Sequence, residues 1–255
     1  MRRYLASKKR AGFKPSLSLL AAMLCGIAFL VPARGLCSDP EAPGGGGRVV
    51  IVDPGHGGND SGVESLEGQL EKKVSMVLAE KLKKELAGRY RVVLTRKGDY
   101  GVSPAQRASI ANHQEGDLFI SLHAGAGFRR MTDRQDIYFF RAEDRDEQGA
   151  AAAAESRGPV SWHLIQQRHT GQSAQLAETL QKRLARFQTR SKPEIIGAPL
   201  AVLKGLDMPA VVVEYGYLTN PKTARALAEH QHLEALAAAL ADGISDFFAP
   251  APAEK

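Results

Sequence analysis

Cysteine is nearly absent from the chain, which has two, Cys25 and Cys37, among 255 residues. Cys25 lies in a segment that we interpret below as a removable export signal, so Cys37 alone would remain in the mature protein. One cysteine cannot form an intramolecular disulfide, and thiolate zinc sites need several cysteines around one ion. Any metal site is therefore expected to use histidine and carboxylate ligands.

Long hydrophobic runs are also missing. The longest, Leu17 to Val31, has about 15 residues, whereas a membrane-spanning helix needs about 20. It follows a basic segment and precedes the small residues Ala33 and Gly35, which is the pattern of a cleaved secretion signal. We predict that residues 1–35 are an export signal, that no stable membrane anchor remains after cleavage, and that the mature protein is periplasmic or cell-wall associated. An uncleaved anchor is the alternative.

An excess of basic residues is missing once this signal is set aside. The whole chain has a formal net charge of +6, but residues 1–35 contain seven Lys or Arg and no Asp or Glu. The remainder has 27 basic and 28 acidic side chains. Proteins that bind nucleic acid concentrate basic residues on one surface, so nucleic acid is not expected as a partner.

Internal repeats are absent, and the sequence indicates one folded domain. Residues 36–47 are a Gly- and Pro-rich flexible leader, residues 48–248 the domain, and residues 249–255 a Pro- and Ala-rich tail. Within the domain, short β-branched or apolar runs alternate with longer amphipathic segments, which is typical of an α/β sheet covered by helices. We predict a mainly parallel, six-stranded twisted sheet with helices on both faces.

The boundaries of the elements follow from these runs. The predicted strands are Arg48 to Val52, Arg91 to Thr95, Asp117 to His123, Asp136 to Phe140, Leu200 to Leu203 and Ala210 to Glu214. The predicted helices are Leu70 to Leu86, Pro104 to His113, Ser173 to Thr189, Lys222 to Glu229 and Leu233 to Phe247. In open sheets of this kind, ligands bind in the crevice outside the carboxyl ends of the strands.

Two histidines stand at such strand ends. His56 follows the first strand in the turn Asp-Pro-Gly-His-Gly-Gly, where glycines let the backbone bend sharply and approach a ligand closely. His123 ends the third strand and precedes a run of small residues. Because both strand ends meet at one edge of the sheet, the two imidazoles are expected to share a metal site there.

Two glutamates have open interpretations. Glu71 lies in the first turn of a predicted helix, where it either compensates the helix dipole at the surface or adds a carboxylate ligand to the two imidazoles. Glu214 follows three valines of the last strand, and it is either buried and paired or directed at the crevice. In the crevice it would have the chemistry of a general base beside a metal-bound water.

The remaining histidines are expected to be mostly solvated. They are His113, His163, His169, His230 and His232. His163 and His169 are the exceptions, because they share a segment with Trp162 that could reach the crevice.

Five stretches of the sequence carry a resemblance to a known family. They are IVDPGHGGNDSG, LEKKV, LTRKGD, RASIANHQEGDLFISLHA and APLAVLKGLDMPAVVVEYGYLTNP. In this order they resemble the zinc-dependent N-acetylmuramoyl-L-alanine amidases of the AmiC type, along nearly all of residues 48–248. The resemblance implies one Zn²⁺ per chain, held by His56, Glu71 and His123, with Glu214 as the catalytic glutamate.

The resemblance also implies the reaction. The substrate would be peptidoglycan, and the bond would be the amide between the lactyl group of N-acetylmuramic acid and L-alanine of the stem peptide. Arg107 and Asn112 match family positions and are expected to have a structural role at the approach to the third strand. Asp53 is a candidate partner that would orient a ligand histidine from behind.

Two features depart from the family pattern. Gly125 stands where many relatives have asparagine after the His-Ala pair, which removes any substrate contact made by that side chain. Residues 141–172 are a candidate regulatory insert, since in some periplasmic relatives a helix inserted here covers the zinc until a LytM-type activator protein displaces it. Glu143, Glu147 and Glu155 are its candidate autoinhibitory residues. A solvated Ala-rich helix without a regulatory role is the alternative.

Two other functions compete with the amidase. A zinc carboxypeptidase or endopeptidase acting on the stem peptide would use the same ligand set. A non-catalytic wall-binding protein could contain a structural metal, but Glu214 argues against it because a structural zinc needs no base nearby. The protein is expected to be a monomer.

Overall fold

The computed structural model of the protein describes residues 47–129, 131–142, 162–187 and 192–250. The predicted export signal, residues 1–35, lies outside the described residues, as do Glu143, Glu147 and Glu155. Within the described part of the chain, no helix has both the length and the apolar character needed to cross a membrane.

A six-stranded sheet forms the centre of the fold. Its strands are β1 (Val49–Pro54), β2 (Arg91–Leu94), β3 (Leu118–Gly125), β4 (Asp136–Phe140), β5 (Glu194–Ala198) and β6 (Ala210–Tyr217). Their order across the sheet is β2-β1-β3-β6-β4-β5. Neighbouring strands are parallel except for β4 and β6, which run antiparallel. The prediction of a mainly parallel six-stranded sheet is confirmed.

Five α-helices are described around this sheet. They are α1 (Glu71–Leu86), α2 (Pro104–His113), α3 (Thr170–Leu184), α4 (Pro221–Ala228) and α5 (His230–Phe248). The start of α2 shows why its bounds follow from the sequence. The Ser103 hydroxyl accepts from the backbone N–H of Gln106, and the Gln106 side chain accepts from the backbone N–H of Ser103. This capping box, with proline at the first helical position, fixes where the helix begins.

Two hydrophobic layers enclose the sheet. Helices α1, α3 and α5 cover one face, against which Val50 and Val52 of β1 pack. Helix α2 and the 3₁₀ segment Ala201–Leu203 cover the other face, against which Ile51 and Phe119 pack. Both faces of the central strands are therefore buried, which explains their nearly continuous apolar sequences. Helices on both faces are confirmed.

The predicted strand from Leu200 to Leu203 is wrong. Ala201–Leu203 is a 3₁₀ helix, and the strand of this region is β5 at Glu194–Ala198. A short apolar run does not distinguish a strand from another buried segment, and Leu203 is fully buried in its helical turn. Strand β5 lies at the edge of the sheet with its residues exposed or half-buried, so it has only a weak hydrophobic pattern.

Candidate metal centre

The carboxyl ends of β1 and β3 bring the two strand-end histidines together. His56 follows the last residue of β1 by two positions, and His123 lies near the end of the neighbouring strand β3. Their imidazole ring centroids are 4.9 Å apart. Glu214 of β6 is the register partner of His123 on the next strand. These three residues therefore occupy one edge of the sheet.

Glu71, the first residue of α1, joins the two histidines. Its Oε1 lies 3.0 Å from His56 Nε2 and 3.0 Å from His123 Nδ1. One ligand atom from each of the three residues lies within 4.8 Å of the others. Within the described residues, this is the one cluster of at least three His, Cys, Asp or Glu side chains with such spacing.

The cluster has the donor set and the spacing that a small divalent cation requires. Two imidazole nitrogens and one carboxylate oxygen are a ligand set of catalytic metal sites that keep a position open for water. Bonds of about 2.0 Å from an ion to tetrahedral ligands place the ligand atoms roughly 3.3 Å apart. The 3.0 Å separations at Glu71 are close to that value. The three residues can therefore hold a divalent metal ion.

The surface interpretation of Glu71 is wrong, because its side chain is buried, with 1% of the residue exposed. Its Oε2 accepts from the backbone N–H of Val63 at 2.8 Å, and its Oε1 accepts from that of Ala124 at 2.9 Å. Burial alone would raise the pKa of this carboxyl, but hydrogen bonds from His123, His56 and Val63 lower the pKa to about 2. The Glu71 carboxylate is therefore ionised, and hydrogen bonds hold both of its oxygens in place for metal binding.

The turn at His56 has an unusual backbone. His56 has a φ of 59°, in the left-handed region, and Gly57 follows with a φ of 127°. Asp60 Oδ2 lies 2.7 Å from His56 Nδ1, which leaves Nε2 directed at Glu71. Burial would lower the pKa of His56, but its hydrogen bonds with Glu71 and Asp60 and their charges raise it. Asp60 therefore fixes which ring nitrogen faces the cluster.

Two buried arginines hold the backbone of this turn. Arg96 donates to the carbonyl oxygens of Pro54 at 3.0 Å and Gly55 at 2.7 Å. Arg107 donates to those of Pro54 and His56, both at 2.9 Å. A left-handed non-glycine residue costs of order 1–3 kcal/mol, and it persists only where the surroundings fix it. The four charge-assisted hydrogen bonds supply that constraint.

Asp53 lies within β1 and pairs with Arg107. Its carboxylate, fully buried, also accepts from the Ser121 hydroxyl at 2.6 Å and from the Thr95 hydroxyl. The prediction that Asp53 orients a ligand histidine is wrong. Its carboxylate is committed to these partners inside the sheet, and Asp60, beyond the turn, makes the contact with the imidazole.

We expect Arg107→Met to lower the free energy of unfolding by about 3–5 kcal/mol, because it leaves the buried charge of Asp53 without its ionic partner. Urea denaturation measures this change. Arg89→Met, at an exposed arginine on the surface, is the matched control and should change stability little. An Arg107→Met variant as stable as this control would show that the pair does not stabilise the turn.

Asn112 makes a structural contact, although not the predicted one. Its amide nitrogen donates to the Gly205 carbonyl at 2.7 Å, and its Oδ1 accepts from the backbone N–H of Asp207 at 3.0 Å. These bonds hold the loop that leads into β6 rather than the approach to β3. The expectation that Arg107 and Asn112 act at the approach to β3 is therefore corrected. Arg107 holds the turn after β1, and Asn112, near the end of α2, lies beside the loop before β6.

Glu214 has surroundings that favour its protonated form. Burial raises the pKa of its carboxyl, and the charge of Asp136 raises it further. Tyr138 hydrogen-bonds to Glu214, and the pKa of Tyr138 is raised to about 12, first by burial and then by the charge of Glu214. A carboxylate with a raised pKa is a stronger proton acceptor at neutral pH.

The segment around Trp162 does not reach the cluster. His169 pairs with Asp207 at 2.9 Å and lines a cavity at the amino ends of the strands, on the opposite edge of the sheet. Trp162 covers Gly205, where an added Cβ would overlap its ring. The prediction that His169 reaches the crevice is wrong, and the side chain of His163 lies outside the described part of the chain.

Several residues connected to the site were not identified from the sequence. They include Asp60, Arg96, Arg134, Asp136, Tyr138 and Tyr217. The sequence could have indicated Asp60 as a partner of His56, since it lies four residues after His56 in the same turn. The others come from distant segments, and their partners are known only once the sheet is assembled.

Comparison with known proteins identifies a family. Residues 50–246 match the family model described as N-acetylmuramoyl-L-alanine amidase. The chain is 29% identical over 231 residues to N-acetylmuramoyl-L-alanine amidase AmiA of Escherichia coli, covering 83% of this chain and 80% of AmiA. It is 27% identical over 235 residues to AmiC of another Escherichia coli strain, covering 83% of this chain but 56% of AmiC.

A solved structure agrees with these matches. The N-acetylmuramoyl-L-alanine amidase from Clostridium difficile 630 superimposes with a TM-score of 0.64 at 25% identity. The superposition covers 79% of this chain and 97% of that protein.

Proposed function

The chain belongs to the N-acetylmuramoyl-L-alanine amidase family, and we propose that it hydrolyses the amide bond between the lactyl group of N-acetylmuramic acid and L-alanine in peptidoglycan. The cluster of His56, Glu71 and His123 beside Glu214 carries this proposal. It combines a buried glutamate and two partly exposed histidines with a nearby carboxylate whose pKa is raised, which is an arrangement for hydrolysis rather than for binding alone.

Zinc is the proposed metal. His56, Glu71 and His123 would hold one Zn²⁺, since two imidazoles and a carboxylate are a ligand set of catalytic zinc. When bound, zinc lowers the pKa of water and polarises a carbonyl. Val63 and Ala124 fix the Glu71 carboxylate, and Asp60 fixes the His56 ring, so these residues prepare the ligands.

Glu214 is the proposed general base. It would take a proton from the attacking water and deliver it to the amine of L-alanine as the amide bond breaks. Its position on β6, as the register partner of His123, supports this role, because ligands of such sheets bind beyond the carboxyl ends of the strands.

Product analysis tests the proposed bond. We expect the purified, zinc-loaded protein to release intact stem peptides with a free L-alanine amine from peptidoglycan fragments, as detected by mass spectrometry. A stem-peptide carboxypeptidase or endopeptidase would instead release D-alanine or cleave between peptide residues. Such products in place of the intact stem would contradict the amidase assignment.

Export and regulation are further proposals. We infer that residues 1–35 direct the protein to the periplasm or cell wall, where its polymeric substrate is located. Residues 141–172 are proposed as a regulatory insert on which a LytM-type activator protein would act, and residues 162–172 of this range do not themselves cover the cluster. Equal activity before and after deletion of residues 143–158 would contradict autoinhibition by this segment.

A further inference from the structure

A second carboxylate lies beside the proposed general base. Asp136 on β4 is the register partner of Glu214 on the antiparallel strand β6. Directly opposite residues project from the same face with Cβ atoms about 4.5–5.5 Å apart, and like charges in this position destabilise a sheet. Asp136 is fully buried, so its charge requires compensation.

Hydrogen bonds from Arg134 and Tyr217 compensate the buried charge of Asp136. Arg134 Nε lies 3.0 Å from Asp136 Oδ1 and 2.9 Å from Oδ2, and Arg134 Nη2 lies 2.7 Å from Oδ1. The Tyr217 hydroxyl donates to Asp136 Oδ2 at 2.9 Å. The pKa of Tyr217 is raised, first by burial and then by its hydrogen bond with Asp136, so the phenol keeps its proton as a donor. Arg134 also pairs with Glu194, so these bonds offset the charge of Asp136 in part, and none of them is made to the Glu214 carboxylate.

The Tyr217 ring and the Glu214 carboxylate both lie beside Gly125. A Cβ added to Gly125 would overlap the Tyr217 ring and would lie only 2.9 Å from Glu214 Oε2. The ring edge and this oxygen therefore border the same small gap. Any residue larger than glycine would have to displace one of them.

We propose that Asp136, Arg134 and Tyr217 are positioning residues that hold the Glu214 carboxylate in place for proton transfer, and that Gly125 is required to let the Tyr217 ring lie beside it. This inference rests on the proposed role of Glu214 as the general base. None of the four residues contacts the cluster of His56, Glu71 and His123 through a side chain in the bonds described above. Their substitution should therefore affect turnover and not metal affinity.

Tyr217→Phe is the first test, because it keeps the ring and removes only the hydroxyl donor. We expect kcat on soluble muropeptides to fall roughly tenfold, since a misplacement of about 1 Å can cost about a hundredfold and the loss of one hydroxyl should cause a smaller shift. KM and the zinc dissociation constant, measured by competition with a chelator, should stay within about twofold. Tyr215→Phe is the matched control: Tyr215 is buried on the same strand, and its hydroxyl hydrogen-bonds to Ser75 on α1.

The control separates positioning from general stability. Tyr215→Phe should lower thermal stability but keep the wild-type kcat. A wild-type kcat in Tyr217→Phe, or equal losses of kcat in both variants, would overturn the proposal. If the wild type itself releases no stem peptide, the proposed function fails instead, so the two failures are distinguishable.

Gly125→Ala tests whether residue 125 must lack a side chain for the Tyr217 ring to keep its position. We expect it to lower kcat per zinc-loaded protein by more than Tyr217→Phe does, because the added methyl group displaces the ring. The double variant Gly125→Ala/Tyr217→Leu relieves the overlap but lacks the hydroxyl donor to Asp136. Its kcat should stay as low as that of Gly125→Ala, and recovery to the wild-type kcat would show that Tyr217 only fills space.

Discussion

Glu214→Gln should abolish most of the turnover while leaving the metal site intact. The substitution keeps the shape of the side chain but removes its capacity to take a proton. General base catalysis contributes about 10²–10⁴-fold to a rate, so we expect kcat to fall by at least about a hundredfold. Zinc affinity should stay within about twofold, because Glu214 is not one of the three clustered donors.

Stopped-time assays of stem-peptide release measure this loss, with zinc content determined on the same samples. Glu178→Gln is the matched control, since Glu178 is an exposed residue of α3. It should be indistinguishable from the wild type. Turnover of Glu214→Gln near the wild-type rate would exclude Glu214 as the base and leave the metal cluster without its proposed partner.

Glu71→Gln should have its largest effect on metal affinity. The variant loses the anionic oxygen that lies 3.0 Å from both histidines. Removing a group that only supports a ligand typically costs about 10–100-fold in metal affinity, so loss of a ligand should cost at least about a hundredfold. Activity at limiting zinc should fall in parallel.

Chelator competition distinguishes this result from an effect on the helix. A carboxylate that only compensates the dipole of α1 contributes about 0.3–1 kcal/mol to stability and nothing to metal affinity. Glu80→Gln, at an exposed residue of the same helix, is the control and should bind zinc as the wild type does. Wild-type zinc affinity in Glu71→Gln would remove Glu71 from the ligand set.

The parts of the fold that the sequence predicts are those with strong local signals. Helix α2 has the predicted bounds because Ser103, Pro104 and Gln106 form its cap within four residues. Strand β4 also has the predicted bounds, at Asp136–Phe140. The sequence does not predict strand β5, because an exposed edge strand has little hydrophobic alternation. It predicts a strand at Leu200 to Leu203 instead, because this short apolar run contains the buried Leu203.

The residues of the candidate site also differ in how far the sequence predicts them. His56 and His123 follow from the rule that ligands bind at the carboxyl ends of strands. Glu71 needed the family resemblance, since its helix-start position also has a surface explanation. Asp136 and Tyr217 could not be identified, because their relation to Glu214 depends on the register of β4 against β6, which local sequence does not determine.

Because β4 is reversed, the chain leaves it for residues 143–161 at the end of the sheet away from the metal centre. Strand β4 begins at the end of the sheet that contains the metal site, where the carboxyl ends of β1, β3 and β6 lie. It ends at the opposite end of the sheet. After these residues the chain re-enters at Trp162, over Gly205, also at the opposite edge. The described residues on either side of positions 143–161 therefore both lie at the end of the sheet away from the metal centre.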